Sequence, residues 1–552
     1  MFFDSSKGPF PRQVLADSRP NNNPHSAGST GQRGHPAVGP RPWASAAGER
    51  CSANGWSLAN VSPTLDRISN QVPLTERLPV RRSSRARLAG QALAGLGLSA
   101  LLLVGTGCRT YTTKSESFRQ TWRSGQAEAA ATAFGEKADK AAARDAVIWR
   151  LEQAAALRVA GKFDESNRAF EDAESRMTAY ANKARVRVGN EAMSAMTTPA
   201  NLPYEGRGYD RIMAATYRAL NYLALGRPDA ARPALIKAYQ YQQDVVAENA
   251  RRIEQARADA AQTPNAGAIG NTEKNPQFQR QVESLYDPVK SMRPYAEYVI
   301  PFTVWLDGVY FLAQGQDGSD LERARKSLER ALAFNPDNPC VREDVAACAR
   351  RLRGAALEPV TYVIFETGQA PIREQVRIDI PIVFANVSYV GAAWPVLQPQ
   401  AGHALTLAVT AGGRQVTTAP VTSMDSVISR DFEDEKPAII TRTLVSTIAK
   451  GAAAFAANEA ASQADEGLGA LVRIATLAYQ ASVNIADTRT WTTLPKEFQV
   501  ARIPTPPDRQ LQLLEGSGPP VTVSIEDGLV NVVYIRSVSG HTPLRISQMK
   551  LK

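Results

Sequence analysis

From Glu116 to Arg353 apolar residues recur at three- and four-residue spacing among Ala, Leu, Arg and Glu, which predicts amphipathic helices. Three windows share one layout, in which a Gly closes a first helix and small and large apolar residues follow along a second. Gly161 precedes Phe163, Ser166, Phe170 and Ala173. Tyr222 stands four residues before Gly226, which precedes Ala231, Leu235 and Ala238. Gly308, Phe311 and Gly315 precede Ala324, Leu328 and Ala331, and Pro336 follows in "ALAFNPDNP". Residues 339–353 then predict a closing helix. An insertion lies at about residues 246–296: "VVAENARRIEQARADAA" extends the preceding helix, whereas "QTPNAGAIGNTEKNP" holds turn residues without an apolar period and predicts a mobile loop.

At Leu357 the composition shifts to Val, Ile, Thr and Tyr and the period becomes two. Val360, Tyr362 and Ile364 alternate with Thr361, Val363 and Phe365, as in a strand buried on both faces. Val376, Ile378 and Ile380 alternate with Arg377 and Asp379, as in a strand with one wet face. Leu405, Leu407 and Val409 lead through Gly412-Gly413 to Val416, a hairpin pattern. Val521, Val523 and Ile525 lead through Asp527-Gly528 to Val530, Val532 and Tyr534, a stronger one. Short strands with tight turns predict an antiparallel, sandwich-like domain over residues 357–552. An inserted helical hairpin is expected at about 423–488. Its first arm, Ala438–Ala461, would turn Arg442, Ser446 and Lys450 to water. Its second would carry a polar stripe of Arg473, Thr476, Gln480, Asn484 and Asp487. Insertion of this hairpin into a membrane is the rival reading, but Arg442, Lys450, Glu459 and Arg473 break every apolar run below the ~20 residues a span requires. Packing on the sheet or the helices is therefore expected.

The Gly and small-residue offsets over residues 127–355 resemble the tetratricopeptide repeat, whose small residues let paired helices approach and whose large ones fill the gap. An ordinary helical bundle is the alternative, since Ala and Leu recur at this spacing in any amphipathic helix. The expected architecture is thus a multidomain chain, α then α+β: a tetratricopeptide-like α-solenoid followed by the β-rich domain.

Upstream, Arg81, Arg82, Arg85 and Arg87 precede 17 uncharged residues, Leu88 to Val104, and then Gly105, Thr106, Gly107 and Cys108. That is the charged, apolar and small-residue order of an export signal. It predicts cleavage before Cys108 and acylation of that cysteine, with residues 80–107 as signal and 108–126 as tether. Gly105 replaces the Leu usual in such a box. A short uncleaved anchor is the other reading. Residues 1–79 are rich in Pro, Asn, Ser, Gly and Arg, without periodicity, and read as a leader from a mis-assigned start.

The net charge of +10 divides unevenly. The leader carries 8 basic and 5 acidic residues and the signal four arginines, leaving 52 and 49 in the chain beyond. That near-neutral balance gives no argument for nucleic acid. Cys340 and Cys348 fall eight residues apart on one predicted helix, about 12 Å, too far for a disulfide. His403 and His541 sit in separate strand-like regions, and no cluster has metal-site spacing. No phosphate loop or nucleophile elbow is present, so no cofactor is expected. Asp425, Asp431, Glu433, Asp434 and Glu435 crowd together, but "RDFEDEK" reads first as a solvated helix and only second as the acid and base of a glycan hydrolase.

The phrases "IKAYQYQQDVV", "SRDFEDEKPAIITRTLVSTIAKG", "DTRTWTTLPKEFQVARIP" and "DGLVNVVYIRS" together resemble a family of bacterial envelope lipoproteins that join tetratricopeptide repeats to a β-rich C-terminal domain. The similarity runs from about Gln120 to the last strand. It implies an envelope component, with relatives encoded near lipoproteins that activate peptidoglycan synthases. The expectation is a non-enzymatic scaffold, anchored through Cys108 in the outer membrane and facing the periplasm, which binds protein partners in its repeat groove. A glycan hydrolase and a structural subunit of an export machine are the alternatives.

Overall fold

The computed structural model describes residues 110–186, 198–384, 387–464 and 485–552. The expected leader, the export signal, Cys108 and residues 471–484 of the helical hairpin lie outside them. The fold is mixed α+β, and the described residues belong to a single unit, Arg82–Lys552.

The helical part begins with α1 (Tyr111–Arg123), α2 (Ala127–Lys140), α3 (Ala146–Val159), α4 (Phe163–Val186), α5 (Gly208–Ala224) and α6 (Pro228–Ala261). It continues through α7 (Ala266–Glu273), α8 (Pro276–Leu285), α9 (Asp287–Ser291), α10 (Pro301–Gln314), α11 (Gly318–Phe334) and α12 (Pro339–Leu352). The repeated glycines have a mechanical origin. Gly161 and Gly226 take φ values of 76° and 66°. Each ends its helix with paired bonds, Lys162 N–H to Leu157 O and Gly161 N–H to Arg158 O in one, Arg227 N–H to Tyr222 O and Gly226 N–H to Leu223 O in the other. Only a left-handed residue closes a helix this way, so α3 folds back on α4 and α5 on α6. Gly308 serves differently: a Cβ there would lie 2.6 Å from Leu328 Cγ, where α10 crosses α11. Gly315 caps α10 with its φ at −55°. Phe170, Ala173, Ala231, Ala238, Phe311, Ala324 and Ala331 are fully buried; Tyr222 is half-buried and Pro336 is exposed.

The β part is β1 (Val360–Thr367), β2 (Ile372–Phe384), β3 (Val387–Gln398), β4 (Leu407–Ala411), β5 (Arg414–Thr417) and β6 (Ala419–Ser423), then helix α13 (Met424–Ala464). After it come β7 (Glu497–Pro504), β8 (Gln510–Glu515), β9 (Val521–Ser524), β10 (Val530–Ser537) and β11 (Arg545–Lys550). A five-stranded sheet, β11-β10-β1-β7-β6, lies between two layers. Tyr362, Ile364, Phe498, Val500 and Tyr534 turn to the helices. Val363, Phe365, Ile503 and Ile535 turn to Leu407, Val409, Leu511 and Leu513 of the four-stranded sheet β5-β4-β8-β9. The double alternation of β1 is thus a strand buried on both faces. The ring of Trp491 lies 5.8 Å from Phe170 and 5.9 Å from Tyr217, and Phe302 stacks on Phe498 at 4.2 Å. Helices and sheet therefore share one core.

Several expectations need correction. Where a tether was expected, α1 packs through Tyr111 and Trp122, because aromatic and small residues form a helical stripe among the Thr, Ser and Lys. The expected mobile loop is α7 and the start of α8: Asn275 caps α8 by accepting from the amides of Gln277 and Phe278, and Ile269, Phe278 and Val282 are buried. Gly412-Gly413 does close a β4–β5 hairpin. Asp527-Gly528 does not close one. Strand β10 is apolar on both faces and pairs with β1, in parallel, and with β11, whereas exposed β9 joins the edge beside β8. Burial, rather than the turn dipeptide, chose the partner. A single 41-residue helix, α13, replaces the predicted start of the first hairpin arm. On it Ser446 and Lys450 are buried, and Arg442 alone of the three is exposed. His403 and His541 sit in connections, and Cys340 and Cys348 are free and buried on α12.

Candidate functional site

A cleft of about 730 Å³ opens where α6, α13 and the β2–β3 ribbon meet the connections at residues 198–207 and 485–489. Its charged wall starts from α13, where Asp431 and Glu435 are four residues apart and so share a face. That face meets two arginines. Arg373, on β2, holds Glu435 at 2.8 Å and stands 3.6 Å from Asp431. Arg207, just before α5, stands 3.4 Å from Glu435 and 3.8 Å from Asp431. Arg373 also packs its cation over the ring of Phe432 at 4.8 Å.

The two carboxylates are driven apart electrostatically. Burial, and then the negative charge of Glu435, push the Asp431 carboxyl well above the usual range; its hydrogen bond from Tyr298 at 3.0 Å and its looser arginine pairs only partly oppose this. Burial would raise Glu435 too, but Arg207, Arg373 and Arg252 together hold it below the ordinary value. Such a split is what an acid and base pair needs. Geometry withholds it: Asp431 is 1% exposed and lies behind the cleft wall, while Glu435 lines it.

A second set of bonds fixes the cleft's far edge. The Arg489 guanidinium pairs with Asp487 at 2.7 Å and donates to the carbonyls of Arg144 and Leu202 at 2.6 and 2.7 Å. Arg207 donates to the Arg489 carbonyl at 2.6 Å and to the Tyr204 hydroxyl at 2.8 Å. Tyr204 in turn donates to Asp210 at 2.5 Å. Burial would raise Asp487, but Arg489 outweighs it and holds that carboxyl below its usual range. One turn beyond Ser446, burial pushes the Lys450 ammonium down to about 8, with Nζ donating to Thr198 at 2.6 Å.

The expected carboxylate group does not assemble as one site. Asp425 pairs with Lys496, and Asp434 with Arg430 at 2.9 Å. Asp431 and Glu433, two residues apart on a helix, point about 200° from each other, so they cannot flank a glycosidic bond. None of the repeat-signature residues lines the cleft. The pairing of the arginines leaves no local mark in the sequence, since Arg207 and Glu435 are 228 positions apart. The one local signal was the four-residue spacing of Asp431 and Glu435. No family model, curated protein or solved structure matches this chain.

Proposed function

We propose that this chain is a lipid-anchored binding scaffold of the bacterial cell envelope, acylated at Cys108 and facing the periplasm from the outer membrane, with the cleft as its recognition site. The α3/α4, α5/α6 and α10/α11 hairpins are read as a tetratricopeptide-like array, supported by the two Gly turns and the Gly308 crossing. Their inner faces meet Trp491, Phe498 and Tyr362 of the same chain. A partner in the repeat groove would compete with that core, so recognition is assigned to the cleft instead. Envelope or peptidoglycan maintenance is the process the sequence resemblance favours.

The observation that carries binding over hydrolysis is the charge pairing of the wall. Its cleft-lining carboxylate, Glu435, is locked by two arginines, and the group able to hold a proton near neutrality, Asp431, is sealed behind it. The segment Met424–Ala460 is long and apolar enough to cross a bilayer, but its Leu444, Val445 and Ile448 pack into the core. The test is affinity capture of the tagged full-length chain from mild detergent, beside an Ile439→Trp variant that fills the cleft. We expect a partner or ligand recovered with the first and lost with the second. Equal recovery with both would mean that the cleft is not the recognition site.

A further inference from the structure

We propose that the cleft binds a small amphipathic anion, a carboxylate or phosphate on an apolar body about 10 Å long, laid along α13; this rests on the cleft being a recognition site. The α13 residues that line the cleft are Asp434, which is paired with Arg430, then Glu435, Ala438, Ile439, Arg442, Thr443 and Ser446, spaced as one face of a helix. Its chemistry is graded. At one end Glu435 is neutralised by Arg207 and Arg373. Midway along the helix come Ala438 and Ile439, and Ile485 and Pro395 line the same cleft, which adds apolar surface. At the other end stand Arg442 and Ser446. From Ile439 to Ser446 the helix rises about 10 Å.

What remains after internal pairing is a surplus of donors. Among the described residues, neither the Arg442 guanidinium nor the Lys183 ammonium has an ion-pair partner, and both line the cleft. Asn249, facing from α6, is 7% exposed, and its Nδ2 makes no hydrogen bond. Ser446 is 3% exposed, and its hydroxyl likewise makes none. Buried donors without partners cost about 1–3 kcal/mol each, so they are seldom left so without a ligand or water to meet. Against these four groups, Glu205 is the one cleft-lining carboxylate among the described residues without an ion pair or another partner. A cleft of about 730 Å³ with an apolar middle and a few placed polar groups has the proportions of a small-molecule site.

The test is isothermal titration of the purified full chain carrying Cys108→Ser with decanoate, decyl phosphate, decan-1-ol and inorganic phosphate. Binding of both amphipathic anions is expected, with the alcohol and inorganic phosphate each at least about tenfold weaker. The Arg442→Gln variant should weaken both anions at least about tenfold and leave the alcohol unchanged; its side chain is exposed, so the fold does not depend on it. Ser446→Ala, which breaks no internal hydrogen bond, should weaken the anions about threefold or more. The relative affinities of decanoate and decyl phosphate identify which oxyanion is preferred. If the alcohol binds as tightly as the anions and Arg442→Gln changes nothing, the anion assignment is overturned while the cleft stands as a recognition site. If no probe saturates up to about 1 mM, small amphiphiles are excluded, and the capture experiment then decides the cleft itself.

Discussion

Replacing Arg373 by Met tests the charged wall most sharply. Methionine keeps an apolar body over Phe432 while removing the guanidinium that holds Glu435 at 2.8 Å and stands 3.6 Å from Asp431. Among the described residues Arg207 is then the single remaining arginine paired to either carboxylate, at 3.4 and 3.8 Å. Removing one partner of a buried ion pair costs about 3–5 kcal/mol, because the remaining charge keeps its desolvation penalty. The loss should depend on pH. In the wild type, Glu435 is held below its ordinary value, so its contribution is present above that value and is lost as pH falls. Without Arg373, burial dominates, and the Glu435 carboxyl moves up, as that of Asp431 already is. A raised carboxyl stabilises below its unfolded value and loses that contribution as pH rises, so the variant suffers most in alkali. Urea unfolding of the full chain at pH 5 and pH 8 measures this. We expect a destabilisation of about 3–5 kcal/mol at pH 8, smaller by about 1–2 kcal/mol at pH 5, the equivalent of roughly one pKa unit. A loss below about 1 kcal/mol at pH 8, or one independent of pH, would mean that Arg373 does not hold Glu435 in its charged form.

Four further outcomes follow from other parts of the chain. Asp344, pushed up to about 6 by burial, accepts from Trp305 at 2.9 Å and Tyr362 at 2.6 Å and pairs with Arg502 at 3.0 Å. Since its raised value means stability lost as pH rises through about 6, the deficit of Asp344→Asn relative to wild type should narrow between pH 5 and pH 8 in thermal unfolding. Gly308→Ala should cost about 1–3 kcal/mol by forcing Leu328 out of place, and a double-mutant cycle with Leu328→Ala should show the two changes coupled. Gly161→Ala meets open space, so its cost of about 1–2 kcal/mol should be purely conformational and uncoupled to any neighbour. Finally, Cys108→Ser should move the chain from the membrane fraction to the soluble one with its unfolding midpoint unchanged. Retention at the membrane would contradict acylation there.

The parts legible in the sequence are those decided locally. Gly161 and Gly226 announce helix ends because the turn itself requires a left-handed residue. The alternation of β1 reports burial on both faces because each side chain has only two faces to choose between. The cleft is different, since it is assembled from residues near 207, 249, 373, 442 and 489. "RDFEDEK" reads as solvated until Arg207 and Arg373 arrive from elsewhere in the chain. Ser446 and Lys450 read as a wet face for the same reason: polarity predicts water when no partner is in view, and here the surroundings are Thr198 and the cleft. Likewise Asn275-Pro276 is a helix cap that looks like a breaker until Phe278 and Val282 are seen to be buried.

The cleft beside α13 is proposed as the place where this chain meets its ligand. A photo-crosslinking amino acid at position 439, inside the cleft, compared with the same group at exposed position 405, tests it in living cells. An adduct at 439, abolished by Arg442→Gln, is expected, with little or none at 405. Adducts at 405 and none at 439 would contradict it.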